Sequence, residues 1–260
     1  MNKFSKVLTA GALVLASISA SASDITVGGV TWDPDYQTIF SKDLVAAGGF
    51  AQWFSNAGVS LAGAPNLAAE QPGFPSTIGS MLQGVGEIGS FNGQSDFVCA
   101  TCELTFTFGG IEFDNDLTDG SVYDLAATAT SGFFNIYFDD TADFDVGSAA
   151  DQAGVDAAAD GSLFLSLGFA NLVEINGYTP QKGGLETYWH VIGGAAAGNF
   201  DTDSELFGSD VGFTATVDFQ GGQYGTAIGL ASGNTIPEPT SLAIFGLGLL
   251  GLAGAARRKA

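Results

Sequence analysis

Positive charge is what this chain has least of. Seven Lys and Arg stand against 28 Asp and Glu, with one histidine, His190. Five of the seven cations sit at the ends: Lys3 and Lys6 at the start, Arg257, Arg258 and Lys259 at the finish. From Asp24 to Thr235 only Lys42 and Lys182 face 27 acids, a formal charge of −25. That balance excludes a nucleic-acid partner, since a basic footprint is the first requirement for holding phosphate. It also weighs against docking on anionic lipid headgroups.

Cysteine is nearly absent too. Cys99 and Cys102, in Cys99-Ala100-Thr101-Cys102, are the only two. In an exported chain such a pair reads as a disulfide at the entry to the strand that begins at Glu103. A thioredoxin-type redox pair wants a βαβ context that is missing, and His190 alone is too little to complete a zinc site.

Catalytic motifs are lacking as well. There is no nucleophile elbow, no Walker loop and no HExxH. A Ser-His-Asp or Cys-His arrangement would have to use His190, which lies between aromatic and β-branched residues in Tyr188-Trp189-His190-Val191 and reads as structural. Acids are so numerous that some pair falls at any chosen distance, so glycosidase geometry cannot be assigned from them. The chain is therefore expected not to be an enzyme, and no cofactor is expected beyond calcium. Helical pattern is scarce, with Ser41–Phe54 and Asp151–Ala159 as the two short candidates.

What is present begins at the N-terminus. Lys3 and Lys6 precede the apolar run Val7–Ile18, and Ala20-Ser21-Ala22 supplies small residues at cleavage spacing. This is a signal-peptide pattern over residues 1–22, with the mature domain running from residue 23 to 219. Within it, Glu103–Gly110 (ELTFTFGG) puts Leu104, Phe106 and Phe108 on one face and Thr105 and Thr107 on the other. Val211–Phe219 alternates likewise, and Leu185–Ile192 has strand composition. Gly132–Asp139 and Ser162–Ala170 are dense enough in apolar residues to be buried on both faces. Period-2 alternation broken by Gly, Asp, Asn and Ser predicts an all-β, antiparallel sandwich, for which a jelly roll is one arrangement. Residues 220–235, rich in Gly and small side chains, read as a flexible stalk.

Acidic clusters suggest a cation. Asp114, Asn115, Asp116 and Asp119 form one, Asp139, Asp140, Asp143 and Asp145 a second, and Asp201, Asp203 and Glu205 a third. Hard oxygen ligands in loops suit Ca²⁺, although no EF-hand spacing is present. The second cluster is the favoured site because it follows a strong strand directly. The alternative is solvated turn carboxylates on an acidic surface.

The C-terminus is the most specific part. Pro237-Glu238-Pro239 is followed by an apolar run from Leu242 to Ala256 and then by Arg257, Arg258 and Lys259. An apolar segment closed by a basic cluster is the pattern of a helix halted in a bilayer, its positive end in the cytoplasm. Sixteen residues, Ser241–Ala256, make about 24 Å of helix against a hydrocarbon core of about 30 Å, which suits a transient stop better than a permanent anchor.

This order of motif, helix and cluster over Ile236–Ala260 resembles the PEP-CTERM sorting signal of Gram-negative bacteria. The resemblance implies an integral-membrane exosortase as partner. Pro237, Glu238 and Pro239 would be its recognition residues, and Arg257, Arg258 and Lys259 the cytoplasmic stop. It further implies transient residence in the inner membrane, then transfer to the cell surface or beyond, with exopolysaccharide or other matrix components as partners. The front of the domain, Ile25–Gln37 with CATCELTFTFGG, is similar to exported proteins bearing the same tail and supplies no active site. A carbohydrate-binding or carbohydrate-active sandwich is the second reading. It would present Trp53, Tyr188 and Trp189 on an exposed face, whereas the matrix reading places them in the core.

Overall fold

The computed structural model describes residues 24–37, 42–55, 81–112, 132–147, 152–179, 182–218 and 224–236, all within the unit Asp24–Pro239. Two short strands, β1 (Ile25–Val27) and β2 (Val30–Trp32), form a hairpin. Gly28 and Gly29 make its two-residue turn, both at positive φ (55° and 89°), which the primed hairpin turns require. Eight longer strands follow: β3 (Leu44–Ser55), β4 (Met81–Phe91), β5 (Glu103–Glu112), β6 (Phe133–Asp139), β7 (Ser162–Thr179), β8 (Lys182–Gly193), β9 (Val211–Asp218) and β10 (Tyr224–Gly233).

Each of the eight pairs antiparallel with the next, and β10 pairs with β3, so the sheet closes on itself. The expected all-β antiparallel class holds, but the sandwich is corrected to an up-and-down barrel. Alternation decides which side chains point inward; it does not decide which strands pair. Closure also removes the edges of the eight-stranded sheet.

Phenylalanine fills the interior. Phe50, Phe106, Phe108, Phe134 and Phe213 come from four strands, with ring centroids 4.9–6.5 Å apart. Trp189 from β8 stands 5.7 Å from Phe134. Rings of this size need room, which small residues on neighbouring strands supply. A Cβ on Gly86 would overlap the ring of Phe106, and one on Gly229 the ring of Phe213. One interior cavity, with Phe106, Phe134 and Phe213 in its lining, measures about 40 Å³, against the several hundred that small-molecule sites take.

The β1–β2 hairpin packs into the same core through Ile25, Val30 and Trp32. The Trp32 ring lies 6.1 Å from Phe91, 6.4 Å from Phe164 and 5.4 Å from Phe200. Phe164 is the extra residue of a bulge in β7, which lets it turn toward that cluster. A second apolar cluster lies on the outward side of β3 and β4. There Phe144, Val155 and Ala158 cover Ala51, Trp53 and Val85. Thr105 Oγ1 donates to Ala158 O at 2.9 Å. Both faces of β5 are consequently buried, Thr105 and Thr107 included.

Three sequence expectations change here. Ser41–Phe54 was expected to be helical, yet Leu44–Ser55 is strand β3; Gly48 and Gly49 weaken a helix, and the ladders to β4 and β10 decide the matter. The stalk expected over 220–235 contains β10, the strand that closes the barrel. Gly229 there makes room for the Phe213 ring of the neighbouring strand. Full burial of β6 and β7 on both faces is also corrected: Phe133, Asn135 and Tyr137 are half-buried and Leu163 is 41% exposed, because nothing among the described residues covers that wall. Within Asp151–Ala159, the helix Gln152–Ala157 forms as expected.

Candidate functional site: the junction with the C-terminal tail

β10 ends at Gly233, and residues 234–236 then lie pinned to the barrel. The Thr235 N–H donates to Asp43 Oδ1 at 2.7 Å, and the Asp43 N–H donates to Asn234 Oδ1 at 3.3 Å. The Ile236 N–H donates to Asn199 O at 2.7 Å, while Asn199 Nδ2 donates to Ile236 O at 3.4 Å. The chain thus reaches Pro237 directly from a hydrogen-bonded frame. Burial pushes the Asp43 carboxyl above its ordinary value, opposed by the Thr235 N–H it accepts.

The other half of the frame is the β8–β9 connection, residues 194–210. Asp210, buried to 2% exposure, accepts three main-chain N–H groups at 2.7 Å each: Val191 at Oδ2, Thr202 and Asp203 at Oδ1. Lys42, beside Asp43, pairs with Glu205 at 2.6 Å and donates to Ser204 O at 3.3 Å. Beyond these anchors the chain makes a tight turn, Leu206–Gly208. The Glu205 N–H reaches Ser209 O at 2.8 Å, and Ser209 Oγ reaches Leu206 O at 2.7 Å. Leu206 and Phe207 at its tip are 60% and 57% exposed.

The acidic clusters separate on inspection. Asp139 accepts the Thr141 N–H and Asp145 the Gly147 N–H, each closing its own local turn. Among the described residues, the set of three His, Cys, Asp or Glu whose ligand atoms approach within 4.8 Å of one another is His190, Asp203 and Asp210. The structure does not gather Asp139, Asp140, Asp143 and Asp145 into such a set. Asp210 is also the loop's anchor, three of its acceptor positions already filled by main-chain donors. Asp114, Asn115, Asp116 and Asp119 lie outside the described residues.

A polar crevice of about 340 Å³ lies under the loop that carries Cys99 and Cys102, with Glu87 and Glu103 in its lining. Both carboxyls are raised above their ordinary values by burial, Glu87 further by the charge of Asp145. Glu103 is not free for chemistry, because both its oxygens accept the Phe144 N–H at 3.2 Å. Cys99 and Cys102 are bonded to each other, Cα atoms 5.0 Å apart. Trp53, Tyr188 and Trp189 are 1%, 3% and 1% exposed; they sit in the core or under other side chains and make no exposed aromatic face.

Sequence reasoning missed Asp43, Asn199 and Asp210. Short polar side chains next to strand ends are a general signal for capping main-chain donors. Their partners, as far as 192 residues away, are not visible locally.

Comparison with family models gives a match to the PEP-CTERM protein-sorting motif over residues 235–259. The chain carries a PEP-CTERM sorting signal. No curated protein and no solved structure matches it. The PEP-CTERM motif implies export, transit through a membrane and processing by an exosortase, a membrane enzyme. It begins at the last residues of the pinned junction. Pro237, Glu238, Pro239, Arg257, Arg258 and Lys259 lie outside the described residues, as does the signal segment 1–22. No helix among the described residues is long and apolar enough to cross a membrane, and the tail was not among them.

Proposed function

We propose that this protein is a non-enzymatic, acidic barrel module of the bacterial surface or extracellular matrix, delivered there by its C-terminal signal. The N-terminal signal sends it across the inner membrane. The tail holds it there transiently, and an exosortase then acts at or near Pro237, Glu238 and Pro239. The observation that carries this reading is the match at residues 235–259, starting where the barrel's own hydrogen bonds end. A barrel interior packed with its own rings suits a structural module better than a carrier of small molecules.

The carbohydrate reading needed exposed aromatics, and burial of Trp53, Tyr188 and Trp189 removes the support it had. The role in an exopolysaccharide-bearing matrix rests on the tail's association alone. The test is intact mass and localisation in the native host, with and without the exosortase. Loss of both termini and appearance outside the cell only with the enzyme is the expected result. A full-length chain left in the inner membrane would overturn it.

A further inference from the structure

We propose that the turn bearing Leu206 and Phe207 is a lipid-contacting wedge, seated in the interfacial region of the same bilayer that takes the C-terminal tail. This rests on the reading above that the tail enters a membrane. Three observations lead to it.

The first is a shared frame. Asn199 holds Ile236, Asp43 holds Thr235, and Lys42 holds Ser204 and Glu205. The tip and the start of the tail therefore cannot drift apart without breaking this network. The second is reach. Six residue steps separate Ile236 from the apolar run at Leu242, and fully extended they span at most about 22 Å. A membrane-inserted tail holds this frame within that distance of the interface. The third is what the frame displays. Adjacent Leu206 and Phe207 are 60% and 57% exposed at the tip, and Ile236, held in the same hydrogen-bonded frame, is 42% exposed.

The tip is also fixed in shape. Phe207 sits at φ 63°, ψ 15°, in the left-handed region that few bulky residues occupy. Its ring rests 5.2 Å from that of Tyr188. Amphipathic and aromatic residues at such a position partition into the headgroup boundary, where apolar area decides the affinity. Exposed Asp201 and Asp203 precede the turn, so the surface it fits is zwitterionic. Ile228, 74% exposed on the barrel wall, is the contrasting site: it lies five residues before the end of β10, about 17 Å along the strand.

The experiment uses the full chain in zwitterionic phosphatidylcholine vesicles with brominated acyl chains, which quench tryptophan on contact. The native Trp32, Trp53 and Trp189 are all buried, so an added tryptophan dominates the change. Leu206→Trp, Ile228→Trp and, within the tail, Leu249→Trp are compared, with circular dichroism showing that each folds. Loss of emission for Leu206→Trp and Leu249→Trp but not Ile228→Trp is expected, and anionic lipid should reduce the Leu206→Trp effect. Quenching at Leu249→Trp alone overturns the wedge and leaves the tail reading standing. Equal quenching at Leu206→Trp and Ile228→Trp overturns it too, since the barrel would then lie flat. No quenching anywhere defeats the tail reading and the wedge with it.

Discussion

The main-chain N–H of Thr235 donates to Oδ1 of Asp43 across 192 residues of chain, at 2.7 Å. That bond joins the residue just before β3 to the second residue after β10. It therefore closes the barrel seam a second time, outside the ladder, and fixes where the tail departs.

Asp43→Ala is expected to loosen this exit. The lost hydrogen bond costs about 1 kcal/mol, and the larger sign is local: a protease should cut near residues 234–236 while the barrel stays intact. Asp43→Asn keeps an acceptor and should protect nearly as well. Limited proteolysis followed by mass analysis decides between them.

The barrel should be more stable in mild acid. Asp43, Glu87 and Glu103 all have carboxyls raised by burial. The folded state then holds protons more tightly than the unfolded chain. That contribution is fully present below the ordinary carboxylate values and is lost as pH rises through the raised ones. Melting temperature should be higher at about pH 5 than at about pH 8, and Glu103→Gln should flatten the difference. A melting temperature that rises toward alkaline pH would contradict this.

Gly229→Val fills space that the Phe213 ring occupies, with Phe50 also close by. Overpacking of this kind costs roughly 1–3 kcal/mol, or more where a ring must leave its rotamer. Denaturant unfolding should show it directly. Phe213→Leu in the same chain should recover part of the loss.

Calcium should bring no specific gain at Asp139, Asp140, Asp143 and Asp145. Asp139 and Asp145 close turns of their own, and no three of the four converge on a common point. Titration calorimetry with calcium is expected to show no saturable heat, and any rise in melting temperature should be matched by magnesium at equal ionic strength. A saturable calcium signal lost in Asp143→Asn would reverse this.

Much of the molecule could be read from its residues, and the remainder could not for a definite reason. Leu104, Phe106 and Phe108 announce an inward stripe, and the tail announces itself through Pro237, Glu238 and Pro239 ahead of an apolar run. Both are local patterns. Pairing is not local: the same alternation serves a sandwich and a barrel, and only the β10–β3 seam distinguishes them. Gly225, Gly229 and Gly233 in β10 look like a linker until the pairing of β10 with β3 and β9, and the Phe213 ring beside Gly229, are known. The junction was invisible for the same reason, since Asp43 and Asn199 meet the tail only after the barrel has closed.

The order of the strands carries one more consequence, for timing. Seven of the eight seams join strands adjacent in the chain, so each can zip as its second strand emerges from a translocation channel. The eighth joins β3 to β10, the last strand before the signal. A chain delivered N-terminus first stays an open ribbon until its final strand is out. The seam that completes the barrel can form only once the chain has emerged as far as the sorting signal.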